Sequence, residues 1–142
     1  MSGDEFISLA SNLSVNPRLG TSEARFRSAV SRAYYGAYHL ALDMFAELNV
    51  RIPRNHSGHY EIYRLLSSID QPTSRLLAGL LSDLRRARNS ADYDFDNSMF
   101  KTQSIATWSV ESANELRQAL GACRQEPLRG MLLSAVAGRT QE

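Results

Sequence analysis

From Phe26 to Leu48 the apolar residues Phe26, Val30, Ala33, Ala37, Leu40, Met44 and Leu48 recur at intervals of three and four, the period of one helix face. A stripe of that length needs a partner surface along its whole extent, so the rest of the chain is expected to pack around it. Strict apolar-polar alternation, the mark of a half-buried strand, is nearly absent, and only four prolines and eight glycines interrupt the 142 residues. The expected fold is all-α: an up-down bundle of four to five helices in a single domain spanning 1-142, with a core over about 4-125 and a tail over 126-142.

The first helix is expected from Asp4 to Val15, ended by Asn16-Pro17 because a residue before proline is pushed out of the helical region. Thr21 is placed to cap the long second helix, which should reach about Asn49. Small residues at Ala33 and Ala37 would let a neighbouring backbone come close, while Tyr34, Tyr35 and Tyr38 fill the flanks as core. The stretch from Arg51 to Gly58 lacks a hydrophobic period and reads as a mobile loop. A third helix is expected near His59 to Ile69, a fourth from Pro72 to Asp92, and a fifth from about Met99 to Arg124. Past Pro127, Met131 to Val136 reads as a last helical turn or a contact with another subunit.

With 43% hydrophobic residues the chain can bury a core without disulfides or a metal, and its single cysteine, Cys123, has no partner thiol. No apolar window is long enough to span a bilayer, and the acidic start Met1-Ser2-Gly3-Asp4-Glu5 does not resemble a signal peptide, so a cytoplasmic protein without a membrane partner is expected. A net charge of +1 excludes nucleic-acid coating by bulk charge. Lys101 is nonetheless the only lysine among sixteen basic residues, so arginine, whose planar fork suits phosphate, supplies the rest.

The fourth helix carries the chemistry. Its leucine stripe, Leu76, Leu77, Leu80, Leu81 and Leu84, leads four residues on to Arg88, a guanidinium beside a face that otherwise seeks the core. Asn89 follows, and Asp92 lies one turn beyond Arg88. The ordinary structural account is an Arg88-Asp92 ion pair with Arg85 and Arg86 in solvent.

Two segments resemble the HEPN superfamily: Ser31-Arg32-Ala33-Tyr34-Tyr35-Gly36-Ala37-Tyr38-His39, similar to its Tyr/Ala-rich early helix, and Leu84-Arg85-Arg86-Ala87-Arg88-Asn89-Ser90-Ala91-Asp92-Tyr93-Asp94, similar to an Arg-Asn-x-Ala-Asp-Tyr motif variant. The resemblance implies a homodimeric helical bundle with a composite cleft that binds RNA or a nucleotide and, in the family's RNases, cuts RNA without a metal as a toxin or defence component. It implies catalytic roles for Arg88, Asn89, Asp92 and Tyr93: Arg88 on the phosphate, Asn89 orienting it, and Asp92 or Tyr93 positioning the attacking hydroxyl. Arg85, Arg86, Arg32 and His39 would contact RNA or phosphate. The family's RNases place a histidine four to six residues after the arginine, where this chain has Asp92 or Tyr93. That departure supports the alternative of a non-catalytic module, in which the motif serves dimerisation. A nucleotidyltransferase antitoxin, which in some members modifies a motif tyrosine, or another defence protein, is the implied partner.

Three histidines remain. His39 continues the line Arg25, Arg32, His39 and makes a polar strip beside the apolar face, whereas His56 and His59 lie in or beside the loop. A metal at His56 and His59 would need a third ligand from elsewhere, and no metal or cofactor is expected: the chain has no phosphate-cradling glycine loop, nucleophile elbow or two-cysteine module.

Overall fold

The computed structural model describes residues 1–140, and these form six α-helices with no strand among them. They are α1 (Gly3–Val15), α2 (Ser22–Glu47), α3 (Gly58–Ser67), α4 (Pro72–Tyr93), α5 (Gln103–Leu120) and α6 (Leu128–Thr140). No helix among the described residues is long and apolar enough to cross a membrane.

Local chemistry explains most boundaries. Ser2 and Glu5 close a reciprocal cap on α1, the Ser2 hydroxyl accepting from the Glu5 amide and the Glu5 carboxylate from the Ser2 amide. Thr21 does occupy the N-cap of α2, but its side chain makes no capping hydrogen bond. Asn49, with φ of 60°, turns the chain left-handed just past α2, a conformation asparagine tolerates better than most residues. Pro72 opens α4, where its missing amide costs nothing.

The long helices alternate in direction around α2. Gly3 of α1 meets Gly36, and Arg25 Nη1 donates to Leu13 O at 3.0 Å, which sets α1 antiparallel to α2. Arg27 of α2 reaches the last carbonyls of α4, and Gln103 at the start of α5 donates to Ser14 O at the end of α1. Ala33 and Ala37 are fully buried, and beside them α1 comes close at Gly36, where a Cβ would stand 2.6 Å from Ile7 and 2.8 Å from Gly3 O.

The expected fifth helix is divided. A 3₁₀ turn over Ser98–Lys101 buries Phe100, α5 follows, and a second 3₁₀ turn, Gly121–Arg124, ends it. The segment past Pro127 is a full helix rather than a turn, and Leu128 and Leu132 belong to the main core, which therefore extends beyond residue 125. α3 and α6 pack together, and Arg124, in the 3₁₀ turn before α6, pairs with Glu47 in the last turn of α2. The loop between α2 and α3 is anchored by buried Val50 and Ile52, and its Asn55 side chain accepts from the Ser57 amide.

Candidate functional site

The face where α2 and α4 run antiparallel gathers most of the singled-out residues. Leu77, Leu81 and Leu84 are fully buried, and Arg88, next on that line, emerges with 21% of its side chain exposed. Its Nη2 donates to the Tyr35 hydroxyl at 2.7 Å and its Nη1 to Asn89 Oδ1 at 3.1 Å. Arg88 Nε stands 2.9 Å from Asp92 Oδ2, yet its N–H makes no hydrogen bond. The contact is therefore an ion pair whose oxygen lies off the N–H direction. The Arg88 guanidinium also lies 5.7 Å from the Tyr93 ring centroid, so Arg88, Asn89, Asp92 and Tyr93 form one contiguous group.

Beside it lies a cleft of about 280 Å³, small for a ligand pocket, with Tyr34, Tyr35 and Tyr38 on one wall and Arg85 and Arg88 on another. The third wall is Asn55, His56 and His59, delivered by the loop and the first turn of α3. Tyr34 Oη and His59 Nδ1 are 3.3 Å apart, and the ring centroids of Tyr34 and Tyr38 are 5.9 Å apart in a stacked arrangement. Gly58 makes this closure feasible, because a Cβ there would collide with both Pro53 O and the Tyr38 hydroxyl.

The cleft is electropositive. Burial, then the nearby Arg85 charge, pushes His59 down to about 4, so its imidazole is neutral at pH 7. Burial pushes Tyr34 up to about 12 and raises Tyr38 as well, which keeps both phenols protonated. Arg85 makes no ion pair or hydrogen bond among the described residues. Its charge faces tyrosines and a neutral imidazole, which is a setting for an anion.

Other expected site residues lie elsewhere. Arg86 pairs with Asp83 at 3.7 Å and borders a separate groove with Met99, Ile105 and Trp108, away from Arg85 and Arg88. His39 stacks on Phe6 with centroids 5.4 Å apart. Arg32 lies 5.5 Å from the Tyr35 centroid, on the rim, so the Tyr35 ring has Arg32 and Arg88 as neighbours. The expected polar strip loses Arg25, which is 7% exposed and holds the end of α1.

His59, placed by the sequence in or beside the loop, lines the cleft, whereas Arg27 escaped the sequence reading. His59 shares a helical line with buried Ile62 and Leu66, a spacing that marks it as inward-facing. Arg27 caps the end of α4: its Nη1 donates to Ser90, Ala91 and Asp94 carbonyls, and its Nη2 to Phe95 O at 3.0 Å. It pairs with Glu23 at 3.1 Å and lies 4.5 Å from the Phe100 centroid. Among the described residues no group of three or more His, Cys, Asp or Glu side chains is placed to hold a metal. Cys123 is buried, and burial pushes its thiol up to about 11.

No protein-family model, characterised protein or solved structure matches this chain.

Proposed function

We propose that this chain is a HEPN-like RNA-binding protein that holds a phosphodiester in the cleft between α2, α3 and α4. The observation that supports this most is the convergence of Arg85, which has no carboxylate partner among the described residues, with Arg88, His59 and three tyrosines. In this reading Arg85 takes a phosphate oxygen, Arg88 is held ready by Tyr35 and Asn89, and the tyrosine rings and Arg32 flank the sugar and base. His59 contributes in either neutral tautomer. With Nδ1 accepting from Tyr34, Nε2–H donates to phosphate; with Nδ1–H donating, Nε2 is a base.

The place of His59 favours a second reading, metal-independent cleavage as a toxin or defence component, with His59 in place of the histidine missing after Arg88. His59 would take the proton of a 2′-hydroxyl while its oxygen attacks the adjacent phosphorus. The bond to the 5′-oxygen breaks, that oxygen takes a proton from water, and a cyclic phosphate remains. Bound phosphate offsets the Arg85 charge, the smaller of the two causes that lower the His59 pKa, while burial, the larger, remains. The remaining parts of the reading are a homodimer and a nucleotidyltransferase partner acting on the exposed Tyr93.

Fluorescence anisotropy with a labelled single-stranded RNA, in EDTA, tests the first reading. Wild-type binding that Arg85→Ala weakens supports it, and affinity unchanged by Arg85→Ala overturns it. Gel analysis of the same samples tests the second, which requires products that His59→Asn abolishes.

A further inference from the structure

The cleft is the middle of a longer strip whose two ends are opposite in charge. Because α4 runs against α2, residues order along this face from Phe95 near Arg27, through Tyr93, Arg88 and Tyr35, to Arg85 and Tyr38, and then to Leu42 and Ala46. At the far end a groove of about 590 Å³ has an apolar floor of Leu42, Val50 and Ile52, with Arg51 and Arg54 on its edges. Both arginines are exposed, and neither has an ion pair or hydrogen bond among the described residues. At the near end Phe95 projects with 73% of its surface exposed, beside Tyr93 at 71%. Asp94 and Asp96 flank Phe95, and their carboxylates likewise have no partner among the described residues.

We propose that the occupant of the Arg51–Arg54 groove is Phe95 of a second copy of this chain. In a two-fold dimer with the paired strips antiparallel, each Phe95 enters the other copy's groove. Asp94 and Asp96 then meet Arg51 and Arg54, once at each end. The pairing satisfies the apolar floor, the exposed ring and four otherwise unpaired charges of each chain, and it brings the two Arg85–His59 clefts together at the centre. Phe95 also starts from a fixed position, since its carbonyl is held by Arg27 Nη2. The inference deepens the homodimer part of the proposed function and rests on it, not on the identity of the ligand.

Sedimentation velocity on three full-length chains tests it. The wild type should be a dimer. Arg51→Glu/Arg54→Glu and Asp94→Arg/Asp96→Arg each reverse four exposed pairs across the dimer and should raise its dissociation constant roughly a hundredfold. Equimolar mixing of the two variants restores opposite charge at both ends and should return the dimer. Wild-type helical content by circular dichroism, with a cooperative melt, shows that the variants fold. A wild type that stays monomeric, variants that stay dimeric, or a folded mixture that fails to associate would each overturn the proposal. RNA binding that depends on Arg85 in a monomeric wild type would leave the cleft reading standing while removing this one.

Discussion

The Tyr34 hydroxyl and His59 Nδ1 stand 3.3 Å apart although 25 positions separate them in the chain. The contact closes the cleft and holds a neutral imidazole beside Arg85, which makes the fold sensitive to acid.

The His59 pKa is depressed from 6.5 to about 4 on folding, so the unfolded chain binds more protons between those values. Stability is expected to be complete above pH 6.5, to decline as pH falls toward 4, and to level off below. The loss attributable to His59 is on the order of 3 kcal/mol at most. Urea melts from pH 7 to pH 4 should show this slope in wild type and a flatter one in His59→Gln.

The three neighbouring arginines should separate by function. Arg85→Ala removes an unpaired charge and is expected to leave Tm unchanged or raised, while lowering RNA affinity about tenfold and the salt slope by about 1. Arg88→Ala loses the contacts to Tyr35, Asn89 and Asp92, and should cost about 1–2 kcal/mol of stability as well as affinity. Arg86→Ala, turned to the other groove, should change RNA affinity less than twofold, which is about the scatter of such measurements. Equal losses from Arg85→Ala and Arg86→Ala in a binding titration would count against this cleft.

Gly58→Ala drives a methyl into Pro53 O and the Tyr38 hydroxyl, so a loss of about 1–3 kcal/mol and displaced His56 and His59 are expected. Gly79→Ala is the control. It sits exposed within α4 with nothing within 4 Å of a new Cβ, and should stabilise by about 0.5–1 kcal/mol. Thermal melts of the two variants should therefore move in opposite directions.

Arg27→Ala strips the end of α4 of its donor to Ser90, Ala91, Asp94 and Phe95. A loss on the order of 2–3 kcal/mol is expected, with amide exchange accelerated over residues 90–97 more than over 77–84. Uniform acceleration along α4 would contradict a local role.

Helical class and most helix positions were legible because the signals are local. The spacing of Phe26 through Leu48, Pro72 at the start of α4 and Pro17 after α1 act within a few residues. The Arg88–Asp92 contact was legible for the same reason, since one helical turn places the two side chains together. Where local cues conflicted, boundaries moved: Asn49 adopts a left-handed turn, and Phe100 is buried by a 3₁₀ turn rather than by an extended α5.

The sequence by itself determined that this chain would be helical, most of each stripe that turns inward (Leu76 and Trp108 stay exposed), and that Arg88 would stand at the edge of one of them, because helical periodicity projects sequence spacing directly onto a surface. Only the tertiary structure decided which side chains share the cleft. His59 reached Tyr34 and Arg85 through the packing of α3 against α4, and Arg27 became the cap of α4. Those placements depend on how helices cross and on where a loop closes, at Gly36 and Gly58, and backbone approach of that kind leaves no periodic trace in the order of residues.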